Sequence, residues 1–179
     1  TQGVTILPLN PAYTRKELGH LLSDSKAVLA VLHPKNMAHY GNCNIMSTDD
    51  VEAQISQQNP VKRLKNQPLD TIGFLCYTSG TTGKPKGALI RQNNVAHTVM
   101  ALHTSWKWSA DDTLMHVLPM FHIHGLFVAQ FGALHAGATT IWRDRFNAKD
   151  VLTTLAQVDS GVFMGVPTHY NRFLDVASK

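Results

Sequence analysis

Along the chain, short continuous apolar runs alternate with stretches in which apolar residues recur every three or four positions. The runs read as strands and the periodic stretches as helices with one buried face. Val4 to Leu9 reads as a strand, and Thr14 to Leu22 as a helix opened by the capping box Thr14-x-x-Glu17, with Leu18, Leu21 and Leu22 as its buried stripe. Ala27 to Leu32 has the pattern of a strand covered on both faces. Pro34 to Asp70 has mixed polar content, with Gln, Asn and Lys concentrated from Gln54 to Gln67, and reads as surface excursion and linker.

The pattern sharpens after Asp70. Ile72 to Tyr77 is a buried-strand candidate, followed by a loop from Thr78 to Gly87 and a short strand, Ala88 to Ile90. Asn93 or Asn94 caps a helix running through about Ser105, and Thr113 to Leu118 is the next strand. His122 to His135 has helical spacing, with Gly137 as its stop. The alternation then repeats as strand Ala138 to Trp142, helix Ala148 to Gln157 capped by Asn147, and strand Gly161 to Val166. Pro167 suits the first turn of a closing helix, Thr168 to Val176. Repeated βα units predict an α/β fold of mainly parallel sheets flanked by helices, with ligand sites beyond the carboxyl ends of strands.

Composition narrows the class. With 179 residues, 44% hydrophobic and 16% charged, the chain is neither a disordered tail nor a fibre, and it can build a core without disulfides or a metal. The net charge of +4 is scattered, its densest groups being Lys62, Arg63, Lys65 and Lys84, Lys86. That distribution suits a local phosphate ligand and argues against nucleic acid as a partner. Cys43 and Cys76 form no C-x-x-C pair, so reduced thiols and an intracellular, by default cytoplasmic, location are expected. Gly125 to Leu134 is interrupted by Gln130 and is too short for a membrane span. The chain opens at Thr1 without an initiator Met, so organelle targeting is not readable from it.

The densest chemistry lies in Thr78-Ser79-Gly80-Thr81-Thr82-Gly83-Lys84-Pro85-Lys86-Gly87, which holds three glycines, four hydroxyls and two lysines directly after a strand. Glycines let backbone N–H groups approach an anion, hydroxyls donate rotatable hydrogen bonds, and lysines neutralise charge. The loop is not the P-loop of nucleotide hydrolases. The residue five on from Gly80 is Pro85, and no Ser or Thr follows either lysine. Composition alone also admits a solvated Gly/Ser/Thr linker. The string Tyr77 to Gly87 closely resembles the phosphate-binding signature of the acyl-adenylate-forming enzymes, which include acyl-CoA synthetases, luciferases and peptide-synthetase adenylation domains.

A second segment, Leu118-Pro119-Met120-Phe121-His122-Ile123-His124-Gly125-Leu126, admits three readings. His-x-His places two imidazoles on one strand face for a metal, though no third ligand accompanies them, so no metal site is assigned. A buried turn with one satisfied histidine is the plainer alternative. The segment also resembles the superfamily's downstream motif, in which the residue at His122 borders the acyl pocket and shifts during the reaction. Together with Gly165-Val166-Pro167-Thr168-His169-Tyr170-Asn171-Arg172, it looks most like the malonyl-CoA synthetase branch.

The resemblance implies an ATP-dependent carboxylate-CoA ligase. Its substrates would be ATP with Mg2+, coenzyme A and a small-molecule carboxylate such as malonate or a related dicarboxylate. It implies that Thr78, Ser79, Gly80, Thr81, Thr82 and Gly83 hold the ATP phosphates while Lys84 and Lys86 close over them. Lys86 and His122 are then the catalytic candidates, and His122 and Arg172 the substrate-binding ones. A dicarboxylate needs a cation for the carboxylate that does not react, and Arg172 offers bidentate geometry. The plainer reading of Arg172 is a weak ion pair on an exposed helix face.

The expected organisation is one partial N-terminal AMP-binding domain, residues 1–179. It would comprise a first α/β part with linker over 1–70 and the phosphate loop and acyl pocket over 71–179. The family's adenine loop ending in Thr-Glu, its Thr-Gly-Asp string and its C-terminal domain with a catalytic Lys do not occur in this sequence, so an internal fragment is expected. Two other functions remain open at this point: a fatty-acid or aryl-acid CoA ligase, and a non-catalytic nucleotide-binding fragment. Trp106 and Trp108 read as an amphipathic helix end, and Cys76 as packing.

Overall fold

The computed structural model describes residues 3–59, 66–78 and 85–178. The loop residues Ser79, Gly80, Thr81, Thr82, Gly83 and Lys84 lie outside them, as do Lys62, Arg63 and Lys65. The expected α/β architecture with parallel pairing is present. The backbone packs as two units, Thr1–Leu89 and Ile90–Lys179.

In the first unit, helix α1 (Arg15–Asp24) begins at the capping box, where the Thr14 hydroxyl accepts from the Glu17 N–H and the Glu17 carboxylate accepts from the Thr14 N–H. A helix of 10 residues is too short to persist alone in water, so packing must hold it. Leu18 and Leu22 supply that packing against Ala30, Leu32 and Tyr40, each buried leucine contributing about 2 kcal/mol. Strand β1 (Leu29–Leu32) pairs in parallel with β2 (Asn44–Ser47).

Several expectations are corrected here. Within this chain β1 is covered on one face only, since Ala30 and Leu32 are buried while Leu29 and Val31 are exposed. The stretch read as excursion and linker contains β2 and helix α2 (Thr48–Ser56). The second helix starts at its own capping box, Ser47 with Asp50. It buries no residue, which is why no apolar stripe announced it. The predicted strand from Val4 to Leu9 is reduced to one parallel bridge, Ile6 to Phe74. Pro8 has no N–H to extend a ladder. Strand β3 (Ile72–Thr78) forms a two-stranded sheet with β4 (Lys86–Arg91).

The second unit is built on a three-stranded parallel sheet. Its central strand β5 (Thr113–His116) lies between β6 (Thr139–Trp142) and β7 (Gly161–Phe163). Helix α3 (Gln92–Trp106) starts one residue before the expected caps. Asn94 acts from inside the first turn, its side-chain oxygen accepting from the Arg91 N–H at 2.9 Å. The stretch expected as one helix from His122 is instead a π-helical turn, His124–Gln130, running into α4 (Phe131–Ala136), which Gly137 ends in the left-handed conformation. The Phe131 N–H reaches back five residues to the Leu126 carbonyl, the signature of a π turn. Helices α5 (Ala148–Leu155) and α6 (Pro167–Ala177) complete the unit. Its core joins Trp108, Leu114, Leu118, Ala129, Ala133 and Met164.

Candidate functional site

Strands β3 and β4 carry the two ends of the string Tyr77 to Gly87. The Thr78 hydroxyl donates to the Lys86 carbonyl across 3.5 Å, and both residues are exposed. Beside them Gly87 is tightly flanked. A Cβ there would fall 2.8 Å from Leu75 Cδ1 and 3.4 Å from the Tyr77 ring. Tyr77 Oη donates to the Asp24 carboxylate at 2.5 Å, tying the strand that enters the loop to the end of α1. Burial, followed by this hydrogen bond and the Asp24 charge, pushes the Tyr77 phenol up to about 12. Cys76 is buried on the same strand, and desolvation raises its thiol, consistent with inert packing.

In the second unit, His122 is exposed, with its ring 4.4 Å from that of Phe121. Its backbone is well fixed. The His122 N–H donates to the Pro119 carbonyl at 3.2 Å, and the His122 carbonyl accepts from the Leu126 N–H at 2.9 Å. Gly125 closes the turn against the chain that enters it. A Cβ at Gly125 would lie 2.3 Å from the Pro119 carbonyl oxygen and 2.9 Å from its carbon. Behind the turn, the fully buried His116 places Nε2 3.0 Å from the Gly125 carbonyl oxygen, and its ring stacks on Trp142 with centroids 4.4 Å apart.

Arg172 is exposed on α6 one turn beyond His169, and its charge reaches that ring. His169 packs against Phe146 at 4.4 Å, and its Nδ1 accepts from the Val166 N–H at 3.3 Å, which leaves the proton of the neutral ring on Nε2. Burial first, and then Arg172, hold His169 below the usual histidine range. A cavity of about 390 Å3 in this unit is lined by Trp108, His124, Phe163, Met164, Gly165 and Tyr170 among others. His122 and Arg172 are not among its lining residues. Thr78 and Lys86 are thus brought together, while His122 and Arg172 are both exposed in the second unit, one in the turn after Pro119 and the other on α6. Sequence reasoning assigned no role to His116 or His169. The place of His116 inside the predicted strand Thr113 to Leu118 was the one signal available for it.

The family described as AMP-binding enzyme matches residues 1–179. The chain belongs to the AMP-binding enzyme family. Within this family, malonate–CoA ligase of Arabidopsis thaliana is 31% identical over 96% of the chain and 32% of its own length. The mitochondrial malonate–CoA ligase ACSF3 of Bos taurus is 28% identical over 99% of the chain and 32% of its own length. Among solved structures, ATP-bound MatB from Rhodopseudomonas palustris superposes with a TM-score of 0.87 at 31% identity, covering 95% of this chain and 36% of that one. A malonyl-CoA ligase in a ternary product complex with methylmalonyl-CoA and AMP gives 0.82 at 32% identity, covering 98% and 37%. This AMP-binding chain spans about a third of the length of these relatives. No helix among its described residues is long and apolar enough to cross a membrane.

Proposed function

We propose that the protein containing this chain is an ATP-dependent carboxylate-CoA ligase acting on malonate or a related small dicarboxylate. The observation that carries the reading is the contiguous string Tyr77 to Gly87, whose ends lie on β3 and β4, in a chain whose relatives over nearly its whole length include malonate–CoA ligases. In the first half-reaction a carboxylate oxygen attacks the α-phosphorus of ATP, and the bond to the pyrophosphate oxygen breaks. In the second, the thiol of coenzyme A attacks the acyl carbon, losing its proton as AMP departs.

The protein's part in the first step is alignment and charge stabilisation. Hydroxyls and amides from Thr78 to Gly83 hold the phosphates, and Lys84 and Lys86 offset their charge. His122 borders the acyl group, and Arg172 takes the carboxylate that does not react. Magnesium enters with the nucleotide. Among the described residues no three His, Cys, Asp or Glu side chains gather into a cation cage.

The test is carboxylate-dependent exchange of pyrophosphate into ATP by the intact protein. Malonate should support exchange at least tenfold better than acetate, a medium-chain fatty acid or benzoate. Arg172→Ala should raise the KM for malonate at least tenfold while leaving the KM for ATP within twofold. Exchange with monocarboxylates alone would make the protein a fatty-acid or aryl-acid ligase. Nucleotide binding without exchange would make it a binding module.

A further inference from the structure

The His122 turn is held from behind by a group that nothing above has used. His116 closes β5, where its ring lies flat on the indole of Trp142, its register partner on β6, at an interplanar angle of 15°. A carbonyl oxygen only accepts, so the 3.0 Å contact with Gly125 fixes the proton of His116 on Nε2. Nδ1 is then a bare lone pair. It is buried and has no hydrogen-bond partner among the described residues. Protonating it would bury a cationic N–H with no acceptor, and burial accordingly lowers the histidine pKa, outweighing the opposing pull of the Gly125 carbonyl and joined by the nearby charge of His124. The other charged group beside it, Arg143, follows Trp142 on β6 and is paired with Asp150 of α5 at 2.7 Å. His116 is therefore a neutral donor with one orientation.

The carbonyl that it holds belongs to a residue packed close against the Pro119 backbone, where a built Cβ would fall 2.3 Å from the Pro119 carbonyl oxygen. Between Pro119 and Gly125 sits His122, bonded through its backbone to Pro119 before it and to Leu126 after it. We infer that His116 is a positioning residue, whose Nε2–H bond to the Gly125 carbonyl sets the placement of His122 and so the rate of acyl-adenylate formation. This rests on the proposed ligase function, and it adds a residue that touches neither substrate nor nucleotide.

The experiment compares His116→Leu, which removes the donor, with His116→Gln, which keeps an N–H of similar reach, in the intact protein. In pyrophosphate exchange, His116→Leu should lower kcat at least tenfold with the KM for ATP within twofold, and His116→Gln should restore most of the loss. The wild-type rate should fall at acid pH along a limb that His116→Gln removes. In a His122→Ala background, His116→Leu should have little further effect, because both changes act through one side chain. Equal losses in the two His116 variants, or additive losses with His122→Ala, would reduce His116 to a structural residue and overturn the inference. Should His116→Leu fail to fold, the acid limb and its removal by His116→Gln decide the matter. If the wild type exchanges with no carboxylate, the ligase reading falls. The positioning claim is then read from the His122 ring resonances by NMR, which His116→Leu should shift and His116→Gln should not. Unshifted resonances in both variants would refute it.

Discussion

Replacing Gly125 with alanine adds a single methyl group at the point where the His122 turn meets the chain entering it. The added Cβ would stand 2.3 Å from the Pro119 carbonyl oxygen, 2.9 Å from the Pro119 carbonyl carbon and 3.3 Å from the Leu118 carbonyl carbon. All three atoms are backbone, so no rotamer change relieves the clash, and the turn must open by about 1 Å to reach ordinary van der Waals separation. Overpacking of this kind costs about 1 to 3 kcal/mol, and here the upper part of that range applies. Opening the turn also draws the Gly125 carbonyl off His116, leaving a buried donor unpaired at about 1 to 2 kcal/mol. The expected loss is about 3 to 5 kcal/mol. Urea unfolding followed by tryptophan fluorescence reads it, because Trp108 is buried in the same core as Leu118 and Ala129. Gly19→Ala is the internal comparison. Gly19 lies inside α1 with its nearest obstacle, Tyr40 Cδ1, at 3.8 Å, so alanine should stabilise by about 0.8 kcal/mol through helix propensity. A loss at Gly125 below about 1 kcal/mol, with exchange activity retained, would refute both the packing and the role of the His116 bond.

Two further expectations concern ionisation. The folded pKa of Tyr77 is raised to about 12, above its ordinary value of 10.0, so its contribution to stability is complete below the unfolded value and is lost as pH rises through the folded one. Alkaline unfolding between those values should be shallower in Tyr77→Phe, and that variant should lose about 1 kcal/mol at neutral pH; an unchanged alkaline limb would discard the Asp24 tether. Asp112 behaves in the opposite sense. The Ser160 hydroxyl donates to one of its oxygens and the Ser109 N–H to the other at 2.7 Å, and both hold the carboxyl below its usual range. The stability it adds is present above the unfolded pKa and is lost as pH falls through the folded one. Ser160→Ala should return the Asp112 pKa part of the way to its ordinary value by NMR titration, and no movement would mean that Ser160 is not its main partner.

What the sequence disclosed depended on how local the signal was. The Thr14 to Glu17 box opens α1 in full view because apolar Leu18, Leu21 and Leu22 follow it. The same code at Ser47 and Asp50 passed unnoticed because α2 has no buried stripe to follow its cap. Pro8 inside an apolar run gave a false strand, and a helical spacing from His122 onward concealed the π turn His124–Gln130, whose i to i+5 bonding leaves apolar spacing close to that of a helix. The resemblance of Tyr77 to Gly87 to a family signature was legible because the string is contiguous. His116 was not, since its meaning lies in a carbonyl nine residues away along the chain.

The side chains proposed to meet the substrates share one physical circumstance. Lys86, His122 and Arg172 are all exposed, so none is held in place by its own burial. Each has near it in sequence a glycine at which a built Cβ would meet a neighbour: at Gly87 the end of the Leu75 side chain at 2.8 Å, at Gly125 the Pro119 carbonyl oxygen at 2.3 Å, and at Gly165 the Phe163 ring at 2.7 Å and His169 Nδ1 at 3.0 Å. Exposed lysine, histidine and arginine side chains carry large rotamer freedom, which a ligand must restrict on binding. Fixing the backbone beneath them leaves that side-chain freedom as the chief entropy for the ligand to remove. Of the three, Gly125 is the one that meets backbone atoms, so at the His122 turn backbone packing supplies position while solvent exposure of the side chain supplies access.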